Sequence, residues 1–152
     1  MEDPKIKIRA RLVIIKNRQV LLSYTAKEKF YFYIGGKLEY GETLLEGCQR
    51  EIKEECGEAV NFQFKKILYI SDFILPEKKE HSLEIYVLGD VNKYQEIEGV
   101  KDNEFDGAHW QTWVDLNKLS KINVLPKSLT KQLISDWQNN FVGETKYLGQ
   151  IG

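Results

Sequence analysis

Gly36-Lys37-Leu38-Glu39-Tyr40-Gly41-Glu42-Thr43-Leu44-Leu45-Glu46-Gly47-Cys48-Gln49-Arg50-Glu51-Ile52-Lys53-Glu54-Glu55-Cys56-Gly57 is the stretch on which the reading of this chain turns. Thr43 is a favoured N-cap, and Glu46 stands three positions later, so the two side chains can satisfy backbone N–H groups at a helix start. Gly57 is placed to end that helix about four turns on. At 100° per residue, Glu51, Glu54 and Glu55 fall within about 100° of arc on one face. Leu45, Cys48, Ile52 and Cys56 gather on another face, centred about 120° away. The expected helix has a buried stripe and a separate acidic one.

Three carboxylates at i, i+3 and i+4 repel one another on an isolated helix. A solvated face with ordinary ion pairs would account for the acids alone. Hard divalent cations take oxygen ligands, and Mg²⁺ is often shared between a few carboxylates and substrate phosphates. A bound cation would turn the repulsion into binding energy. Arg50 sits beside the stripe, where it can orient Glu51 or Glu54.

The glycines and their spacing decide between these readings. The pattern Gly36, Glu42, Arg50, Glu51, Ile52, Glu54, Glu55 and Gly57 resembles the box of the Nudix (MutT-like) hydrolase family. With seven fixed letters at roughly 7% frequency each, a chance match at a given start is on the order of one in a hundred million. Two positions depart from the box. Glu58 stands where an apolar residue is usual, with Ala59 and Val60 following at once, and Ile34 stands where Pro usually precedes the paired glycines. Neither departure touches a carboxylate.

The resemblance implies an α/β fold, an α/β/α sandwich around a mixed β-sheet. It implies that Glu51, Glu54 and Glu55, with the backbone carbonyl of Gly35, hold Mg²⁺ or Mn²⁺. It further implies that water attacks one phosphorus of a diphosphate and a nucleoside phosphate or similar group leaves, with Arg50, Glu51 and Glu54 in the catalytic group. Glu42 adds to the network, and Gly41 lets the loop approach the helix. A further carboxylate is expected in the loop before the last strand, with Glu104 first, then Asp106, Glu98 and Glu96. Tyr24, Tyr31, Tyr33 and Trp110 are candidates to stack on a nucleobase, and Arg9, Arg11 and Lys37 to meet phosphate. Aromatic residues on strands are more often core, and surface charges are usually just solvated.

Outward from the box, Ile6–Ile15 reads as a strand, Lys16-Asn17-Arg18 as a turn and Gln19–Tyr24 as its hairpin partner. Phe30–Ile34 is a short aromatic strand running into Gly35-Gly36. Val60–Ile74 and Ser82–Val91 read as two long strands around a charged turn, and Asn92–Gly107 as a polar loop. Trp110–Val114 is a last core strand. The stretch Trp113–Leu119 is similar to the family's last strand and short following helix. A helix from about Pro126 to Gln138 closes the pattern, and the tail from Asn139 has no clear assignment.

At 152 residues, the chain is expected to be a single Nudix domain over 1–152, large enough for a full core. Lys plus Arg number 22 against 23 acids, a net charge of −1, which argues against a stable nucleic-acid complex or a polybasic membrane anchor. No apolar run approaches the roughly 20 residues of a membrane helix, and the acidic N-terminus lacks a signal core. Cys48 and Cys56 would lie about 12 Å apart on a helix, too far to pair, and look structural. The expectation is a cytoplasmic enzyme acting on a small-molecule nucleotide, a nucleotide sugar such as ADP-ribose or a (d)NTP, with a homodimer plausible. The competing class is a catalytically silent nucleotide-sensing module, which loss of box carboxylates would favour. None is lost.

Overall fold

The computed structural model describes residues 3–102 and 107–151. Strands β1 (Lys7–Lys16) and β2 (Gln19–Thr25) form a hairpin. Its two turn residues, Asn17 and Arg18, both have positive φ (51° and 66°), the backbone twist that a two-residue turn between right-twisted strands requires. The aromatic run after it is two strands rather than one. β3 (Phe30–Phe32) pairs with β2, whereas β4 (Ile34–Lys37) pairs with β1. The chain changes partner at Tyr33, and a local sequence pattern carries no information about partners.

Helix α1 (Leu44–Cys56) follows, with Thr43 and Glu46 forming the reciprocal cap that their spacing predicts. Then come β5 (Phe62–Leu75), β6 (Glu80–Val91), β7 (His109–Asp115), β8 (Val124–Leu125), α2 (Lys127–Gln138) and β9 (Lys146–Gln150). The strands join into one mixed sheet in the order β8-β3-β2-β1-β6-β5-β9, with β4 added to β1 and β7 to β2. β1 is the pivot. Its first half lies between antiparallel β4 and parallel β6, and its last two residues turn to β2.

Alternation along β1 divides the core between two faces. Ala10, Leu12 and Ile14 pack with Ile34, Cys48, Ile52 and Cys56 beneath α1. Val13 packs with Tyr33, Tyr69, Tyr86, Leu129 and Leu133 on the α2 side. The result is the α/β/α sandwich. Ile34, one of the departures from the box, is fully buried opposite Leu12. Glu58, the other, lies exposed in the turn after α1, and Val60 supplies the buried contact two residues later. Part of the expected polar loop is ordered against β7, where Gly99, Val100 and Asp102 exchange backbone hydrogen bonds with Gln111 and His109.

The tail holds β9, which runs parallel to β5 at the sheet edge. Its anchor is Asp136 of α2. The Asp136 carboxylate accepts from the Lys146 ammonium at 2.6 Å, the Tyr69 hydroxyl at 2.6 Å and the Gln132 amide at 2.9 Å. Burial alone would raise the Asp136 pKa, but these bonds outweigh it and hold the group below its ordinary value. A depressed carboxyl pKa contributes stability above the unfolded value that is lost as pH falls through the folded one. Asp136→Asn is therefore expected to destabilise the protein at pH 7 by about 1.5–3 kcal/mol. The deficit should shrink below roughly pH 4, which urea unfolding across pH will show.

Candidate active site

The acidic face of α1 is built around one guanidinium. Arg50 Nε donates to Glu42 at 3.0 Å, and Nη2 donates both to Glu42 at 2.6 Å and to the Lys37 carbonyl at 3.0 Å. Nη1 donates to Glu51 at 3.0 Å and to the Glu54 carboxylate at 3.4 Å. One side chain thus joins the end of β4, the loop before α1 and two carboxylates of the helix. The Arg50 hydrogen bond is the main cause that holds the Glu42 carboxyl below its ordinary pKa. It also raises the pKa of Arg50 itself, so the pair is charged throughout the physiological range.

Glu55 faces the strand. Its carboxylate accepts the Gly35 N–H at 2.9 Å. At Gly35 (φ 139°) a β-carbon would stand 1.9 Å from the Ala10 carbonyl oxygen, so only glycine permits β4 to lie this close to β1. A β-carbon on Gly36 would stand 2.7 Å from a Glu51 carboxylate oxygen, so a side chain there would displace the carboxylate. The C-terminal end of α1 is also tied down by Gln111 of β7, whose amide donates to the Glu55 carbonyl at 3.0 Å and whose oxygen accepts from Ser23.

Burial, then the neighbouring charges of Glu51 and Asp102, push the Glu55 carboxyl well above the ordinary carboxylate range. Arg11 and the Gly35 N–H pull it back by less. Such crowding of oxygen donors is what a hard divalent cation relieves. Among the described residues, no three side chains already enclose a point that an ion could occupy. Glu51 and Glu54 are turned to Arg50, and Glu55 to Gly35. The donor chemistry nonetheless fits Mg²⁺ or Mn²⁺, because all three carboxylates sit on one helix face beside Gly35.

These carboxylates open onto a cavity of about 660 Å³. Of the sequence-based candidates, Arg9, Arg11, Tyr33, Gly35, Lys37, Arg50, Glu51, Glu54 and Glu55 line it. Arg11 donates to Glu84 at 3.1 Å and to the Tyr33 carbonyl at 3.3 Å. Tyr33 is buried, and among the described residues its hydroxyl has no hydrogen-bond partner. Tyr24 and Trp110 are not among the residues that line the cavity, a placement that strand alternation explains. On β2 it is Thr25 that faces the cavity, so Tyr24 takes the other face, its ring tilted 52° against those of Tyr31 and Trp110 at centroid distances of 4.7 Å and 5.2 Å. Trp110 lies opposite Tyr24 on β7, and its neighbour His109 lines the cavity instead.

Among the loop acids, Glu98 is spent on the Trp113 backbone N–H at 3.0 Å, and Glu96 pairs with Lys93 at 4.0 Å. Glu104 and Asp106 lie outside the described residues. The sequence reading missed Asp102, which is buried and lines the cavity, and Glu84, which accepts from Ser82 and Arg11. It also missed Phe30, Phe32, Phe73 and His109 as lining residues. Only the β-alternation of Glu84 with Tyr86 could have hinted at one of these. Cys48 and Cys56 are buried free thiols, and burial raises both pKa values, Cys48 to about 12.

A family model, the NUDIX domain, matches residues 6–133. No curated protein matches the chain. Solved structures resemble it in fold. One is a UDP-X diphosphatase, 16% identical with a TM-score of 0.70, covering 96% of this chain and 69% of that one. Another is an ADP-ribose pyrophosphatase from Streptococcus suis 89-1591, 16% identical with a TM-score of 0.64, covering 93% and 98%. A MutT protein from Methanosarcina mazei Go1 is 21% identical with a TM-score of 0.66, covering 94% and 99%.

Two variants test the geometry. Arg50→Lys keeps the charge but not the fork, and should cost roughly 1.5–3 kcal/mol in chemical denaturation. Glu55→Gln should stabilise the metal-free protein at pH 7. A raised carboxyl pKa favours the fold below the unfolded value near 4.3, and that contribution is lost as pH rises through the folded value. The gain should fade on acidification, and thermal unfolding in chelator at several pH values will read it.

Proposed function

The chain belongs to the NUDIX domain family, and from that premise we propose that it hydrolyses the diphosphate of a nucleoside diphosphate joined to a second group. The substrate is a nucleotide sugar such as ADP-ribose, or a (d)NTP. The observation that carries this reading is the acidic face of α1, intact at Glu51, Glu54 and Glu55, opening onto a cavity that also presents Arg9, Arg11 and Lys37.

Glu51, Glu54, Glu55 and the Gly35 carbonyl are the groups that would hold Mg²⁺ or Mn²⁺. When bound, such ions neutralise charge on phosphate oxygens and lower the pKa of a coordinated water. The protein's own contribution is positioning. Arg50 sets the rotamers of Glu51 and Glu54 and neutralises part of their mutual repulsion. Arg11 and Lys37 take phosphate oxygens of the substrate, and the Tyr33 hydroxyl supplies a donor without another use among the described residues. The proton of the attacking water goes to a carboxylate, either Glu54, whose side chain is the most exposed of the three at 39%, or Glu104, which the family resemblance offers and which lies outside the described residues. Asp102 lines the cavity and raises the Glu55 pKa.

No helix among the described residues is long and apolar enough to cross a membrane. The same reading takes the protein as cytoplasmic, with small nucleotides as its partners, and a homodimer would show in sedimentation. The decisive experiment incubates the protein and Mg²⁺ with ADP-ribose, other nucleotide sugars, dinucleotides and (d)NTPs. Cleavage of one class, reduced about 10²- to 10⁴-fold by Glu54→Gln and strongly by Glu55→Gln, is the expected result. Tight nucleotide binding with no cleavage of any compound would instead make the chain a nucleotide-sensing module.

A further inference from the structure

Ile151 lies well outside the segment that matches the family, residues 6–133, yet it lines the cavity. It is partly buried against the core that holds Tyr69 and Tyr86. The apolar lining comes from both ends of the sheet. Phe32 on β3 and Leu125 and Pro126 at β8 belong to one end, and Phe73 on β5 and Ile151 beyond β9 to the other. Residues from both ends line a single cavity, so the curl of the sheet sets these apolar groups across a slot from one another. The charged groups, Arg9, Arg11 and Glu84, lie on the strands between.

We infer that Ile151 and Phe73 form one wall of the slot that receives the nucleobase of the leaving group, so that the segment after α2 sets this chain's selectivity. The inference rests on the nucleotide reading above. An apolar slot stabilises a flat, uncharged ring and offers nothing to a phosphate. Position agrees. β4, which carries Gly35, and β9 are separated by β1, β6 and β5. Phe73 on β5 and Ile151 beyond β9 therefore stand apart from α1 and β4, which carry the glutamates and Gly35, and a group joined to a diphosphate at the glutamates can extend toward them within the one cavity.

The segment that leads to Ile151 is tied to β5 and α2 by side-chain bonds. Lys146 is held by Asp136 at 2.6 Å, and Thr145 donates to the Ile67 carbonyl at 2.7 Å. Lys66 donates to the carbonyls of Phe141 at 2.8 Å and Gly143 at 2.7 Å. The Tyr147 hydroxyl bonds Asp72, and Gln150 donates to the Ile74 carbonyl at 3.3 Å. Such ties lower the loop-ordering entropy that a ligand must meet on binding.

Calorimetric titration in chelator, with AMP, GMP and UMP against ribose 5-phosphate, tests the assignment without turnover. Ile151→Ala should weaken each nucleoside monophosphate about fivefold and leave ribose 5-phosphate unchanged. Ile151→Trp, which fills the slot, should weaken the purine nucleotides more than UMP. Ile151→Val, a smaller change, keeps the ranking measurable if circular dichroism shows that the alanine variant has lost β9. The assignment is overturned by unchanged nucleotide affinity, by an equal loss for ribose 5-phosphate, or by a wild type that binds no nucleotide. A wild type that binds nucleotides through Ile151 and cleaves none would sink the hydrolase reading alone.

Discussion

The fork of Arg50 is the contact on which the site depends. α1 presents Glu51 and Glu54 beside each other, and on an isolated helix that arrangement is unfavourable. One guanidinium meets both, and through its other nitrogens it also holds Glu42 and the carbonyl of Lys37. The helix, the loop that precedes it and the end of β4 thereby share a single register. Planarity matters here as much as charge, because only a rigid fork reaches so many acceptors in fixed directions. The glycines act with it. Gly35 lets β4 close on β1, and Gly36 lets β4 close on the Glu51 carboxylate of α1, to distances that a β-carbon would forbid.

The cavity is divided electrically, although the chain as a whole carries a net charge of −1. Carboxylates crowd the α1 side, and the arginines of β1 stand on the floor. Burial works against the charge on Arg11, but Glu84, with smaller help from Tyr86 and Glu55, more than offsets it, and the Arg11 pKa is raised. Glu84 is in turn held by Ser82 at 2.7 Å and stands within 3.8 Å of Arg9. Two cations share one buried anion, so the floor keeps a positive surplus facing the acidic wall. A ligand with several phosphate oxygens can bridge such a division, with cations meeting it on the acidic side.

What was legible in the sequence was local. The cap at Thr43, the stop at Gly57, the carboxylate face of α1 and the β1–β2 hairpin all follow from interactions spanning at most a few turns of chain. Tyr33 and Lys37 flank that stretch and Arg11 stands on β1 opposite Gly35 of β4, so their nearness to the carboxylates also follows from short-range structure. What escaped depends on distant pairing. Tyr24 and Thr25 differ by one position on β2, and only the sheet's orientation decides which of them meets the cavity. Glu84 and Asp102 gain their surroundings from β1 and α1, many residues away. β9 is short and mixed in character, and side-chain bonds from β5 and α2 fix it in place more than its own pattern does.

The placement of β9 also bears on how the protein is made. β5 ends at Leu75, and β9 begins about 70 residues later, at Lys146. At the usual 5–20 residues per second, ribosomal synthesis leaves roughly 4–14 s between them. During that interval the outer edge of β5 at Tyr69–Asp72, which β9 will pair, has unsatisfied backbone groups and can recruit a strand from another chain. Lys65 and Lys66, just upstream on the same strand, and the two register shifts nearby are features that discourage such pairing. Nascent chains stalled before Lys146 would therefore be the aggregation-prone species, with a sheet edge and one end of the ligand slot open together.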